Sequence, residues 1–314
     1  MSDGIILYDT TLRDGTQQEG ISLTVKDKLD ITTELDGLGI HIVEGGWPFS
    51  NPKDEEYFRR VRSLNLKHTR IAAFGSTRRA NVPVTDDPQV KALIDTEAPI
   101  VTVVGKSWEL HVTDILETTL EENLSMIADT VAHLLAAGRE VHYDAEHFFD
   151  GFDANEEYAL QSLRSAAEAG AAVIHLCDTN GGVLPNRLAE VIDRVRAVVA
   201  TPLGIHVHND SDLAVANSLM AIEHGVVQVQ GTINGYGERC GNANLCSIIA
   251  GLQAKMGIKV VTDEQLARLT TVSANIAELV NMSPNASQPY VGTRAFTHKG
   301  GLHAAAVAKV ERSY

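Results

Sequence analysis

The sequence predicts an α/β fold, a (β/α)8 TIM barrel with a C-terminal helical and loop-containing appendage. Short β-branched runs alternate with longer helical patterns, and eight such pairs fall within the first 256 residues of the 314-residue chain. A barrel of this class needs roughly 250 residues. A doubly wound open sheet also alternates strands and helices, but no G-x-G-x-x-G motif follows the first expected strand. These observations favour the closed barrel.

The expected strands are short apolar runs bounded by turn signals. In chain order they are Ile5–Tyr8, His41–Glu44, Ile71–Phe74, Ile100–Val104, Val141–Asp144, Val173–Cys177, Gly204–His208 and Val226–Thr232. Helical patterns follow them at Thr24–Leu38, Asp54–Leu64, Pro88–Thr96, Glu117–Ala137, Asn155–Ala169, Pro185–Val199, Leu213–His224 and Ala243–Met256. Glycines that could cap the C-termini of these helices stand just past several of them.

The pattern stops after the eighth pair. We therefore expect residues 1–257 to form a catalytic barrel and residues 258–314 to form an appendage that contacts a partner subunit. One helix is expected at Thr262–Asn281, followed by a loop-rich segment that contains His298 and His303.

Composition narrows the function classes. The formal charge is −15, and aromatic residues make up only 5% of the chain. A field of that sign opposes binding to nucleic-acid phosphates or to anionic lipid, so neither partner is expected. The three cysteines are too scattered for a disulfide framework or a zinc site. With no targeting or membrane-spanning segment evident, we expect a cytoplasmic protein.

Polar residues at the ends of the first and seventh expected strands indicate a metal site. Active sites of such barrels lie at the carboxyl ends of the strands. His206 and His208 are two residues apart on one strand, so their side chains point to the same face, and Asp14 follows the first strand nearby. Two imidazoles and one carboxylate are typical ligands of a divalent metal. Arg13, beside Asp14, is suited to hold an oxyanion or a carboxylate.

Further candidates follow other strands. Glu146 comes after the fifth expected strand, and Asp178 and Thr179 come after the sixth, where Asp178 could equally cap a turn. After the eighth strand, four glycines fall within residues 231–241, which permits close approach of the backbone to a ligand. Cys240 lies in that stretch and is expected to be inert.

These motifs together resemble the metal-dependent acyl-CoA synthases and lyases whose barrels begin with a D-x-T-x-R-D-G strand end. Within them the sequence is most similar to the citramalate synthase branch of the 2-isopropylmalate, homocitrate and citramalate synthases. The matching stretches are DTTLRDGTQQEG at 9–20, EGGWPFSNPKD at 44–54, YDAEHFFDG at 143–151, DTNGG at 178–182, HVHND at 206–210, GTINGYGERCGNANL at 231–245 and HKGGLHA at 298–304.

The resemblance implies an acyltransferase that condenses acetyl-CoA with pyruvate and hydrolyses the thioester to citramalate and CoA, a step in isoleucine biosynthesis. It implies metal ligation by Asp14, His206 and His208, with Asn242 as a nearby ligand or supporting group. The metal is expected to be Zn, Mn or Mg.

The resemblance also implies roles for the remaining site residues. Arg13 would polarise the keto oxygen, Thr179 would hold the carboxylate of the 2-oxo acid, and Glu146 would lie over the reacting atoms. His303 would reach into the partner subunit of a homodimer. Sequence does not decide whether Glu146 or His303 takes the proton of the acetyl methyl group.

Related synthases continue into a C-terminal regulatory domain, which is absent from these 314 residues, so feedback inhibition is expected to be absent too. Three alternatives stay open: the same chemistry on another 2-oxo acid, a lyase related to 3-hydroxy-3-methylglutaryl-CoA lyase, and a non-catalytic metal-binding barrel. Arg78, Arg294 and Lys299 could meet the CoA phosphates, and Tyr314 falls where related enzymes place a functional tyrosine.

Overall fold

The computed structural model describes residues 4–310, so Tyr314 lies outside the described residues. Eight parallel strands close into a barrel in sequential order, and β8 pairs with β1. The strands are β1 (Ile6–Asp9), β2 (Ile42–Glu44), β3 (Arg70–Ser76), β4 (Ile100–Lys106), β5 (Glu140–Glu146), β6 (Val173–Asp178), β7 (Leu203–Val207) and β8 (Gln228–Gly231). The predicted (β/α)8 barrel is confirmed.

The helices within residues 4–310 lie mostly on the outside of this sheet. They are α1 (Val25–Leu38), α2 (Pro52–Val61), α3 (Pro88–Asp95), α4 (Leu120–Ala136), α5 (Phe148–Ala154), α6 (Glu156–Glu168), α7 (Pro185–Arg196), α8 (Ala214–Glu223), α9 (Leu245–Ala254), α10 (Asp263–Ala267), α11 (Leu269–Leu279) and α12 (Gly301–Lys309). None of the helices within residues 4–310 combines the length and apolarity needed to cross a membrane.

Local signals set the helix ends. A capping box opens α1, because Thr24 accepts from the backbone N–H of Asp27 and the Asp27 carboxylate accepts from that of Thr24. The helix ends at Gly39, whose φ of 88° lies in the left-handed region that favours glycine. Both signals are readable in the sequence.

The two faces of the sheet differ in polarity. Outward-facing strand residues such as Leu7, Val101 and Ile205 are buried in one large apolar core beneath the helices. Side chains alternate along a strand, so the neighbouring positions face the barrel interior. Only a small apolar cluster of Tyr8, Ile42, Ala72 and Ile100 lies there. Much of the remaining interior is polar, with buried carboxylates, imidazoles and amides from β2, β5, β6, β7 and β8.

Several elements differ from the sequence prediction. The helix expected over Thr262–Asn281 is two helices, α10 and α11, that meet at Arg268. An additional helix, α5, begins in the YDAEHFFDG stretch and continues to Ala154. The segment expected to be loop-rich contains α12. Residues of α11 join the barrel core through Val272 and Ile276, whereas most of α12 is exposed.

Candidate active site

A cavity of about 700 Å³ opens at the carboxyl ends of the strands. Its wall includes six of the predicted site residues, namely Arg13, Asp14, Glu146, Thr179, His206 and His208. They follow or end four different strands, β1, β5, β6 and β7, and the closed sheet brings them to one place. The closed barrel thus brings these six side chains, which the sequence motifs single out, to the same end of the barrel.

The turn after β1 is fixed by its own polar side chains. The Asp9 carboxylate accepts from the backbone N–H of Thr11 at 2.9 Å and from its hydroxyl at 2.8 Å. The Thr11 hydroxyl oxygen in turn accepts from the backbone N–H of Ile233 at 2.9 Å, which ties this turn to the loop after β8. These hydrogen bonds fix the turn from which the side chains of Arg13 and Asp14 extend to the cavity wall.

Asp14, His206 and His208 form a compact donor set. Their ligand atoms all lie within 4.8 Å of one another, and Asp14 Oδ2 is 3.3 Å from His206 Nε2 and 3.9 Å from His208 Nε2. All three residues are buried. His208 stands one residue beyond the end of β7, where its backbone bridges to Asn242 in the loop after β8.

The protonation states suit a cation. Burial, together with the neighbouring His206, lowers the pKa of His208 to about 3. Burial likewise lowers the pKa of His206. Burial opposes ionisation of Asp14, but the adjacent Arg13 guanidinium and the two imidazoles hold the pKa of its carboxyl below its ordinary value. At neutral pH the set therefore presents one carboxylate and two neutral imidazoles.

Residues of the donor set and its neighbour Asn242 carry buried polar atoms without hydrogen-bond partners. Asp14 Oδ1, His208 Nδ1 and Asn242 Oδ1 are buried and make no hydrogen bond among the described residues. Buried polar atoms are normally satisfied, so such a group needs an explanation. A divalent metal held by two imidazoles and a carboxylate fits this donor set, and that donor set favours a borderline transition metal over Mg²⁺.

Asn242 is held beside the donor set by the glycine-rich loop. Its Nδ2 donates to the carbonyl of Tyr236 at 3.0 Å, and its side chain helps to lower the pKa of Asp14. Gly237 has a φ of 157°, and a Cβ there would clash with the Asn242 amide. The glycines of this loop therefore permit the close approach of Asn242 that the sequence suggested.

The orientation of Arg13 is set by residues of β2 and β3 and by Asp14 in the turn after β1. Its Nε donates to Glu44 Oε1 at 2.5 Å, its Nη1 lies 3.4 Å from Asp14 Oδ2, and its guanidinium carbon is 3.9 Å above the Phe74 ring centroid. Burial opposes its charge, but the carboxylates of Glu44 and Asp14 raise the pKa of Arg13 above its ordinary value. The arginine is thus a fixed cation at the cavity wall, next to the donor set.

On the opposite side of the mouth, Glu146 contacts the ammonium group of Lys106, which is its partner residue in the register of β4 and β5. Both side chains line the cavity and are about a quarter exposed, at 26% and 23%. Thr179 stands nearby, and its hydroxyl oxygen accepts from the backbone N–H of His147 at 2.9 Å. The hydroxyl hydrogen of Thr179 is therefore directed elsewhere and can be donated to a ligand.

Two charged residues of these loops have structural roles. The Asp178 carboxylate accepts from the backbone N–H groups of Gly182 and Val183, both at 3.2 Å, and so caps its own turn. Arg239 binds both oxygens of Asp210 at 2.8 and 2.9 Å and donates to the carbonyl of Thr179 at 2.6 Å. It therefore ties together the loops after β6, β7 and β8.

The structure does not bring every candidate to the cavity. His303 lies on α12, is exposed, and is not among the described residues that line the cavity of its own chain. Arg294 and Lys299 are likewise exposed outside the barrel. Arg78 does line the cavity, but its guanidinium is held by Glu122 and Asp129, so it is not a solvated surface charge.

Sequence reasoning missed four residues that shape the site, all for the same reason: the direction in which a strand residue points was not known. They are Glu44, Lys106, Asp144 and Gln230. Each lies inside a strand or at its end, and the sequence does not say which alternate positions face the barrel interior. The readable signal was a polar residue within an apolar run, as in HIVE and VQVQG.

Known proteins of one family are similar to this chain. The HMGL-like family model matches residues 4–276. The chain is 54% identical to (R)-citramalate synthase of Aquifex aeolicus, over 100% of this chain and 60% of that protein. It is 54% identical to (R)-citramalate synthase of Geobacter sulfurreducens, over 98% of this chain and 58% of that protein. Homocitrate synthase AksA of Methanopyrus kandleri is 35% identical over 100% of this chain and 76% of that protein.

The fold also matches solved structures. The HMG-CoA lyase of Bacillus subtilis superposes with a TM-score of 0.75 at 18% identity, covering 89% of this chain and 94% of that one. At that identity the likeness shows the shared barrel alone. The chain spans about three-fifths of the length of the curated citramalate synthases that it matches.

Proposed function

The chain belongs to the HMGL-like family, and from that premise we propose that it condenses acetyl-CoA with pyruvate and hydrolyses the thioester, releasing (R)-citramalate and CoA. The observation that carries the proposal is the meeting of a metal-donor set, Asp14, His206 and His208, with Arg13 in the wall of one cavity. The relatives named (R)-citramalate synthase, at 54% identity, direct the choice of substrates.

A divalent metal bound by Asp14, His206 and His208 would act as a Lewis acid on the keto group of the 2-oxo acid. Asn242 would support it from the loop after β8. Two hydrogen-bond donors of the chain would position the rest of the substrate. Arg13 donates to the keto oxygen, on which negative charge develops as the new bond forms. The Thr179 hydroxyl, whose oxygen is occupied by the His147 N–H, donates to the substrate carboxylate.

Formation of the carbon–carbon bond requires a base. Glu146 lines the cavity and would take a proton from the acetyl methyl group, so that the enolate attacks the keto carbon of pyruvate. The keto oxygen then takes up a proton and becomes the tertiary hydroxyl. Water adds to the thioester carbonyl, and the CoA thiol leaves. His303 is proposed to act from the partner subunit of a homodimer, as an alternative base or in activating that water.

The electrostatics of the wall favour pyruvate over a 2-oxo diacid. Asp144 lines the cavity, and although burial opposes its ionisation, the adjacent His175 ring and the Arg13 guanidinium hold the pKa of Asp144 below its ordinary value. A second substrate carboxylate, as in 2-oxoglutarate, would meet that charge. Pyruvate has an uncharged methyl group in place of the chain that carries this second carboxylate.

A CoA-release assay with a panel of 2-oxo acids tests the proposal. Acetyl-CoA is supplied with pyruvate, 2-oxoisovalerate or 2-oxoglutarate, and free thiol is measured. Release with pyruvate alone is expected. Release with 2-oxoisovalerate but not pyruvate would reassign the substrate to that of an isopropylmalate synthase, and no release with any acid would remove the synthase assignment. Discrimination by one or two methylenes is worth only about 1–3 kcal/mol, so some activity with 2-oxobutyrate is compatible.

A further inference from the structure

A buried glutamine connects the candidate metal site to the barrel interior. Gln230 lies on β8 and is fully buried, at 0% exposure. Its Oε1 is 2.8 Å from Nδ1 of His206, and its Nε2 donates to Oδ1 of Asp144 at 3.1 Å. The amide thus stands between a proposed metal ligand on β7 and a carboxylate on β5.

This contact fixes the orientation of the glutamine amide. An ionised carboxylate only accepts hydrogen bonds, so the NH2 end of Gln230 must face Asp144. Nδ1 of His175 also lies 2.7 Å from Oδ1 of Asp144. The amide oxygen of Gln230 consequently faces His206. An amide oxygen is an acceptor, so Nδ1 of His206 must carry the hydrogen.

The location of that hydrogen decides what the other ring nitrogen can do. With the proton on Nδ1, Nε2 presents a lone pair, which is what a metal ion requires. Nε2 lies 3.3 Å from Asp14 Oδ2. In the other tautomer, Nε2–H would donate to that carboxylate, and His206 and Asp14 would satisfy each other. The Nε2 lone pair of His206 would then be lost to a metal.

We propose that Gln230 is a positioning residue that holds His206 in the Nδ1–H tautomer and so keeps its Nε2 lone pair available to a divalent cation. The inference rests on the proposed metal centre. Hydrogen-bond partners of this kind typically change metal affinity by about 10- to 100-fold. Gln230 does not touch the cation or the substrate. It acts through His206 alone.

The chain offers a matched control on the same strand. Gln228 is two residues earlier, is buried, faces the same side, and its Oε1 lies 2.5 Å from Nε2 of His175, not of His206. Gln230→Met and Gln228→Met each remove one buried amide from the barrel interior.

Two measurements on the full chain test the proposal. The first is 15N NMR of the histidine side chains in the metal-free protein, which reports the tautomer of His206 directly. The second is Co²⁺ affinity by chelator competition, with the visible spectrum of bound Co²⁺. We expect the Nδ1–H tautomer in the unsubstituted protein, a shift toward Nε2–H in Gln230→Met, and about 10- to 100-fold weaker Co²⁺ binding in that variant. Gln228→Met should bind Co²⁺ within a few-fold of the parent.

Each other outcome has a defined meaning. An Nε2–H tautomer in the parent protein, or an unchanged tautomer and unchanged Co²⁺ affinity in Gln230→Met, overturns the role of Gln230. Equal weakening by Gln228→Met also overturns it, because the effect would then belong to the interior as a whole. If the parent binds no Co²⁺ through His206 and His208, the metal centre of the proposed function fails. The tautomer measurement still decides the role of Gln230 if Gln230→Met does not fold, since it is made on the parent.

Discussion

Oδ2 of Asp14 lies 3.3 Å from Nε2 of His206, although Asp14 follows the first strand and His206 lies on the seventh. The distance is short because β8 pairs with β1 and closes the sheet, which places the carboxyl ends of β1 and β7 around the same mouth. The donor set is therefore a product of barrel closure. Its consequences can be tested residue by residue.

Removing a donor should release the metal. In His208→Ala the set keeps one imidazole and one carboxylate, and we expect metal affinity to fall by more than about 100-fold, the upper end of the effect of losing an outer partner. CoA release should fall with it. Metal content after dialysis and thiol release are measured together. His68→Ala, at an exposed position just before β3 on the opposite face, should change neither. Full activity in a metal-free His208→Ala protein would exclude the metal mechanism.

Arg13 should be irreplaceable by lysine. Its guanidinium reaches Glu44 and Asp14 at once while it lies over Phe74, and a lysine ammonium cannot keep that geometry. We expect Arg13→Lys to lower kcat/KM for pyruvate by about 10²–10³, as loss of an oxyanion donor does. Metal content should be retained. The exposed Arg194→Lys serves as control, and parental kinetics in Arg13→Lys would show that charge alone is sufficient at this position.

Glu146 should affect the reaction without affecting the metal. Glu146→Gln keeps the size of the side chain but removes its basicity, and we expect kcat to fall by about 10²–10⁴, the usual contribution of a positioned acid or base. Co²⁺ affinity should stay at the parental value. Deuterium exchange into the methyl group of acetyl-CoA reports proton removal separately from condensation. The exposed Glu168→Gln is the matched control. Unimpaired methyl exchange in Glu146→Gln would transfer the role of base to another group, with His303 the next candidate.

Asp9 should make the metal-free protein less stable as the pH rises. Burial raises the pKa of its carboxyl to about 7, against an ordinary value of 3.8. Between these values the folded state binds the proton more often than the unfolded state, so this contribution is fully present below about pH 3.8 and is lost as the pH rises through about 7. The slope is at most about 1.4 kcal/mol per pH unit for one group.

Asp9→Asn removes that titration. The free energy of unfolding of Asp9→Asn, minus that of the parent, should therefore increase from pH 5 to pH 7.5. Denaturant unfolding at the two pH values measures it, with the exposed Glu223→Gln as control. A difference that is constant across the two pH values would mean that Asp9 titrates below this range.

The sequence predicted the parts of the molecule that follow from local pattern. Strand alternation, helix caps and the strand-end motifs located the barrel and the set of Asp14, His206 and His208. Glu44 and Gln230 were missed, because their importance depends on which strand positions face the interior, and a shift of one residue reverses which positions do so. The contact of Lys106 with Glu146 depends on the register between β4 and β5. The break between α10 and α11 was missed because apolar periodicity continues through Arg268.

The most direct test of the proposed function is the metal dependence of product formation. The full chain is treated with a chelator and desalted. It is then given acetyl-CoA and pyruvate, before and after addition of Zn²⁺, Mn²⁺ or Co²⁺. Citramalate is measured by NMR, and CoA is measured by thiol release. We predict no citramalate from the metal-free protein and recovery of equal amounts of citramalate and CoA on adding back at least one of these ions. Undiminished citramalate formation by the metal-free protein would contradict the account.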